Sequence, residues 1–405
     1  MAVALDLPAA EPGIRAGRRH PLRFRTLWRS RMVRPARPDK LLRTLTVLHR
    51  WGLTPAGAYG VAAIRHPERP AIIDERGALS FGEVQRRTNA LASAFSVAGI
   101  GEEDTVAIMS RNHRGFIEAT VAASKLGADV LYIDTELGAP EIADVLRREH
   151  PVALVYDEEF SALIPPAREG CKHFIAWCDE DARPSQELLE ELIAQGDTTE
   201  LMPPREGRCV ATLTAGGTGS AQHRERKVPC SVVLPAPLLS PIPLRRGETT
   251  IVAAPMCHPW GFVHLKLGLR LGSTLVLRRR FDPQEILREV AEHHATALAV
   301  LPAMLQRITG LGKTEIAHHD TTSLRLIAIN GRSLPQELAM PAMEMFGDVL
   351  YNLFGPSVVK LDGHWVSVNR SSAVAWCDGR RSSLKAVDEH AHRPRRSDVS
   401  CWPNL

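Results

Sequence analysis

The chain has 405 residues, of which 44% are hydrophobic and 24% charged, with a formal net charge of +4; it is long enough for two or three cores. These proportions exclude fibrous and wholly disordered classes, and no run reaches the roughly 18–20 apolar residues that a membrane-spanning helix needs. The N-terminus lacks a charged-then-apolar secretory pattern, so a cytoplasmic location is the expectation. The seven cysteines (171, 178, 209, 230, 257, 377 and 401) include no C-x-x-C pair, which predicts reduced, mostly buried thiols and no structural metal.

Residues 13–50 hold eleven arginines and Lys40 against a single acid, Asp39. Residues 1–44 are therefore read as a basic N-terminal arm, partly disordered. Two roles compete for the 13–50 stretch: a solvated extension, or a peripheral contact with an anionic membrane surface, since arginine forks suit phosphate. No nucleic-acid-binding motif accompanies it, so nucleic acid is not expected as a partner.

From about residue 45 to 355 the chain alternates apolar strand-like runs with amphipathic stretches, the pattern of an α/β fold. "ALSFGEVQRRTNALASAFSVAGIG" predicts a short strand and then a helix entered at Phe81 and Gly82 and closed at Gly99 and Gly101. Strands follow at 105–110, 129–133 and 153–157, with helices between them, one at 139–149. Beyond the polar stretch 179–206, a second group of strands is predicted at 209–214, 250–255, 273–279, 297–302, 324–330 and 348–354. Helices at about 282–294, 303–310 and 335–346 separate them; Asp282 and Pro283 are an N-cap and first-turn pair. The 45–355 domain thus divides into subdomains at about 45–206 and 207–355.

Parallel strands flanked by helices present their chemistry at strand carboxyl ends, so the loops after 214, 255, 302, 330 and 354 are where a site is expected. The first reads "TAGGTGS". Gly216, Gly217 and Gly219 let backbone N–H groups turn toward an anion, and the hydroxyls of Thr214, Thr218 and Ser220 add donors. No G-K-[ST] closes the loop, so it is not a Walker-type site. No G-x-S-x-G elbow supports a hydrolase. The histidine pairs 258/264, 293/294 and 318/319 lack a third ligand for a metal.

Four segments in order resemble the fatty acyl-CoA ligase group of the adenylate-forming, AMP-binding enzymes: "PERPAIIDERGALSFGEVQRRTNALASAF", "TLTAGGTG", "APMCHPWGF" and "VLYNLFGPS". They are similar to the family's opening segment, its T-S-G-T-T-G phosphate loop, its P-x-x-H-x-x-G segment and its Y-x-x-Y-G-x-T-E segment; "IAINGRSLP" adds a weaker match. The resemblance implies the large N-terminal domain of that fold and an activity in two steps. ATP and a fatty acid or other acyl substrate give acyl-AMP and pyrophosphate, and coenzyme A then takes the acyl group. Carried over by position, Thr214, Gly216, Gly217, Thr218 and Gly219 would cradle the phosphates. Phe354 would lie against the adenine with Gly355 and Ser357 beside it, Gly331 and Arg332 would line the adenine or acyl wall, and His258 would gate the acyl passage.

The departures from the family pattern also carry meaning. The loop's P-K-G exit is Ala221, Gln222 and His223, with Arg224, Arg226 and Lys227 as nearby positive charges. The glutamate that would help hold Mg2+ is Val358, and an alkyl group cannot coordinate a hard cation. Residues 356–405 contain no ribose-binding T-G-D turn, hinge arginine or catalytic lysine, which predicts that the family's small C-terminal domain is absent. Residues 356–405 are read as an unrelated tail, either a shifted or truncated reading frame or a disordered segment; translation of the adjoining DNA in the other frames tests the first. Impaired ligase activity is the expectation; the alternative is a non-catalytic remnant that binds an acyl chain, nucleotide or partner without turnover.

Overall fold

A computed structural model describes residues 38–167, 169–179, 184–205, 210–213, 226–229, 243–330 and 334–352, with short segments at 359–361, 364–367 and 374–376. Two helices come first, α1 (Pro38–Trp51) and α2 (Pro55–Arg65). The break between them follows from Gly52, at φ +60°, and from Thr54, whose side chain accepts the Gly57 N–H as the α2 N-cap. α1 turns Thr44 and Trp51 inward and leaves Leu41, Leu42 and Leu45 outward, at 47%, 69% and 45% exposure. It begins inside the stretch read as a basic arm, because a helix-forming amphipathic order starts at Pro38.

The next elements are the hairpin β1 (Pro70–Asp74) and β2 (Gly77–Ser80), then α3 (Phe81–Val97), β3 (Thr105–Met109), α4 (Arg114–Leu126) and β4 (Asp129–Tyr132). α5 (Ala139–Glu149), β5 (Ala153–Asp157), β6 (Lys172–Trp177), β7 (Glu187–Leu188), α6 (Leu189–Gln195), β8 (Val210–Leu213) and β9 (Arg226–Pro229) follow. α3 starts where the sequence predicts, because Ser80 and Glu83 form a reciprocal capping box. The second half contains β10 (Thr249–Val252), α7 (Pro259–Leu271), β11 (Thr274–Leu277), α8 (Pro283–Glu292), β12 (Ala297–Val300) and α9 (Pro302–Thr309). It continues with α10 (Lys313–Ile316), β13 (Leu326–Ile329), α11 (Gln336–Phe346) and β14 (Leu350–Asn352). Three short strands, β15 (Val359–Leu361), β16 (His364–Ser367) and β17 (Val374–Trp376), pair antiparallel in a separate sheet.

The main strands form two seven-stranded sheets. One has the order β7-β6-β5-β3-β4-β8-β9 and the other β14-β13-β12-β10-β11-β1-β2; in each, all neighbours are parallel except the terminal hairpin pair. Sheet membership does not follow the sequence division at 206/207. The early hairpin β1–β2 joins the late sheet, with Ile72 opposite Leu275, and β8–β9 joins the early sheet, with Val130 opposite Ala211.

The largest core cluster draws on both sheets: Ala71, Ile72, Val252 and Leu275 from one, Val106, Ile108, Val130 and Val155 from the other. α4 is at its centre, buried from Arg114 to Lys125. Its alanines at 119, 122 and 123 and Ser124 let neighbouring elements approach closely. Lys125 is deeply buried and donates to Thr88 Oγ1 at 2.8 Å, to the Gln85 carbonyl at 3.3 Å and to Asn89 Oδ1. Burial pushes its ammonium down to about 7.

Candidate functional site

The carboxyl ends of the parallel strands are where the two sheets are tied together. From the β3–α4 connection into the first turn of α4 the chain reads Asn112-His113-Arg114, and these three successive side chains reach three different elements. Asn112 donates from Nδ2 to the carbonyls of Val252 and Ala254, each at 2.9 Å, and its Oδ1 accepts the Met256 N–H at 2.8 Å. His113 pairs with Asp157 at the end of β5, Nε2 to Oδ1 at 2.8 Å. Arg114 donates to Asp74 at the end of β1, through its backbone N–H at 2.9 Å and through Nε at 3.0 Å. Asn112 and Arg114 therefore bridge to the other sheet, while His113 locks its own.

The electrostatics agree with that division of labour. Burial alone would raise the Asp74 carboxyl, but the hydrogen bonds and charge of Arg114 outweigh it and hold the group below the usual carboxylate range. Glu159, just past β5, is held down to about 2: burial opposes this, and Arg111 and Arg279 overcome it. Arg111 meets Glu159 through Nε at 2.7 Å and Nη2 at 2.8 Å, and Arg279 joins it from the end of β11. Such a bidentate, partly buried pair is worth more than an exposed one. Trp177 lies under Arg279 and a further cation, Arg76, whose guanidinium groups are 4.9 Å and 3.9 Å from its ring centroid.

Ser110, His113 and Asp157 have the residue types of a nucleophilic triad but not its geometry. Ser110 Oγ, at 3.4 Å, and Asp157 both face Nε2, while Nδ1 accepts the Gly115 N–H at 3.0 Å. A triad needs the acid and the nucleophile on opposite ring nitrogens. All three side chains are buried, so the cluster is structural.

His258 has a different setting. It follows β10 and is the N-cap of α7, where its Nδ1 accepts the Trp260 N–H at 3.3 Å, leaving the ring proton on Nε2. The ring is half-buried. Burial lowers its pKa below the usual histidine value, and the carboxylates of Asp134 and Glu136, on the turn after β4, oppose that shift. A neutral imidazole is therefore presented at the strand ends. Its neighbour Cys257 is buried, and that burial pushes the thiol up to about 12, which removes it as a nucleophile. Trp260 is fixed by its Nε1–H, which donates to the Val300 carbonyl at 3.1 Å at the end of β12.

Of the residues singled out in the sequence, the structure thus places His258. Thr214, Gly216, Gly217, Thr218, Gly219, Gly331, Arg332, Phe354, Gly355, Ser357 and Val358 lie outside the described residues. The strands that precede them are described: β8 ends at Leu213, and the parallel neighbours β13 and β14 end at Ile329 and Asn352. Sequence reasoning did not single out Asn112, His113, Arg114, Asp74 or Asp157. The available signal was a polar "RNHR" between an apolar strand and a small-residue helix, which is costly to bury without partners.

Two mainly parallel sheets of this order, tied at their strand ends and flanked by helices, define the large N-terminal domain of adenylate-forming enzymes. The chain belongs to the AMP-binding enzyme family, whose model matches residues 61–372. It is similar to a feruloyl-CoA synthase of Amycolatopsis, 26% identical over 67% of this chain and 53% of the relative. It also resembles the fatty acid–[acyl-carrier-protein] ligase ScoC of Streptomyces coeruleorubidus, 22% identical over 72% of this chain and 56% of that one. The chain spans about half the length of these curated relatives. Among solved structures, the N-terminal domain of FACL13 from Mycobacterium tuberculosis aligns with a TM-score of 0.65 at 18% identity, over 75% of each chain. The relatives' names span aromatic and fatty acids, so the narrower likeness to fatty acyl-CoA ligases is not carried by them.

The family's nucleotide and metal ion fit these residues unequally. Glycine N–H groups and threonine hydroxyls directly after β8 are donors of the kind an anionic phosphate needs. For Mg2+, Val358 supplies no oxygen, and among the described residues no three His, Cys, Asp or Glu side chains converge. At the position that the resemblance assigns to the ion's carboxylate ligand, these residues supply none.

Proposed function

We propose that this chain binds ATP and a carboxylic acid and joins them as an acyl-adenylate, the first half of an acid–thiol ligase reaction. The observation that carries this reading is the family match over residues 61–372. The acid's carboxylate oxygen attacks the α-phosphorus, and the bond to the bridging oxygen breaks to release pyrophosphate. Two anions must approach, so the barrier is largely electrostatic, and donors held in place before reaction lower it most. In this proposal the 214–219 loop supplies those donors, Phe354 stacks on the adenine, and the uncharged ring of His258 borders the acyl passage. Coenzyme A is the proposed thiol of the second half-reaction. A fatty acid is the substrate that the motifs suggest, and an aromatic acid is a second candidate, supported by a relative's name.

A second reading, retention of binding without turnover, is favoured by two observations: Val358 at the expected metal position, and Ala221-Gln222-His223 at the expected lysine exit. Pyrophosphate release from purified protein with ATP, Mg2+ and a panel of fatty and aromatic acids separates the two. Acid-dependent release supports adenylation. No release with any acid, together with calorimetric binding of ATP, overturns it in favour of binding alone.

A further inference from the structure

We propose that Asn112 is the positioning residue for the segment that presents His258: its amide holds the end of β10 in the arc that places the imidazole on the first turn of α7. The link to chemistry rests on the adenylation reading above; the link to geometry does not.

Beyond the end of β10 the sheet has one more hold on this segment. The N–H groups of Ala253 and Ala254 both reach the Ala299 carbonyl at 3.0 Å. The carbonyls of Val252 and Ala254 and the N–H of Met256 are bonded instead by Asn112. Two acceptors and one donor within five residues require a side chain with two N–H donors and one oxygen at fixed spacing, which is the carboxamide inventory. Leucine would leave all three groups buried without partners, and aspartate could serve only Met256.

The arc passes its position to His258 through backbone contact. The His258 N–H bonds the Pro255 carbonyl at 3.1 Å, and the Phe262 N–H bonds the His258 carbonyl at 3.0 Å. Gly261 packs so closely that a Cβ there would meet the Pro255 oxygen at 2.1 Å. The arc and the first turn of α7 therefore move together or not at all. Asn112 belongs to the β3–α4 connection of the other sheet, so it fixes the His258 segment relative to the sheet that carries β8. The charged groups acting on His258 are Asp134 and Glu136, and neither is on the Asn112 connection.

The test follows the His258 imidazole by 15N NMR across pH 5–8, its signal assigned with H258Q. Wild type is compared with N112A and with N89A, a control that removes another buried asparagine, the one bonded to the Thr198 carbonyl. N112A is expected to hydrate the ring and raise its protonation constant toward that of free imidazole. N89A is expected to leave it unchanged. In the pyrophosphate assay, the rate with N112A should fall about 100-fold in kcat with little change in KM for ATP. In wild type, the Asn112 side-chain amide protons should exchange about 100-fold more slowly than those of a surface asparagine. Surface-like exchange overturns the proposal without requiring any variant to fold. So does an N112A titration that matches wild type, or an equal shift in N89A. If wild type releases no pyrophosphate, the adenylation reading fails by itself, and the titration and exchange still decide on Asn112.

Discussion

His113 and His258 each cap a helix that follows a parallel strand, and in each Nδ1 accepts the N–H two residues on, from Gly115 at 3.0 Å and from Trp260 at 3.3 Å. Beyond that shared cap their surroundings diverge. His113 is fully buried, gives Nε2 to Asp157 and lies 4.9 Å from the Trp177 ring centroid. His258 is half-buried and feels its carboxylates only through space. The same local motif thus makes a locked strut in one sheet and a presented ring in the other. What differs is the group that tertiary packing brings to Nε2.

The largest expected effect breaks the locked side of this contrast. Asp157→Ala leaves the His113 ring N–H and the Arg111 backbone N–H, bonded at 2.8 and 2.9 Å, without their acceptor. Urea denaturation should show a loss of about 2–5 kcal/mol. A loss below about 1 kcal/mol would mean that His113 is not held as described.

A third histidine sharpens the comparison by pH. His264, on the same helix as His258, is buried, donates from Nδ1 to the Trp260 carbonyl at 3.1 Å, and has its pKa pushed by burial down to about 4. Between that value and the unfolded histidine value the unfolded chain holds a proton that the folded one does not, so stability rises with pH. Acidification from about pH 6.5 to 4 should therefore remove up to about 3 kcal/mol, and H264F should flatten that slope. An unchanged slope would remove His264 as its cause.

The smallest stability effect falls on the presented ring. His258→Ala removes one cap bond from a half-exposed position and should cost under about 1 kcal/mol in thermal or urea unfolding. The same change should nonetheless lower pyrophosphate release. A stability loss as large as that of Asp157→Ala would erase the distinction between the two histidines.

Much of the fold was legible because its signals are local. The helix over 139–149 and the strand over 153–157 form with the predicted limits, set by amphipathic spacing in one and a continuous apolar run in the other. Strands read longer than they are, such as 273–279 against Thr274–Leu277, end where the neighbouring ladder ends, with Leu277 opposite Val252. β6 was not read from the sequence: "KHFIAW" opens with a charged residue and a histidine, and pairing with β5 makes it a strand. His258 was singled out from its motif, while Asn112 was not, because its three partners are 140 to 144 residues away.

The sequence by itself determined the alternation of strands and helices, the turns and caps, and membership of a family, since each depends on residues close together or on ordered short motifs. Only the tertiary structure decided that β1–β2 crosses to the late sheet and β8–β9 to the early one. It alone decided which buried polar side chain meets which partner. A backbone carbonyl or a carboxylate looks the same in any sequence, and its role is set by what folding brings within about 3 Å of it.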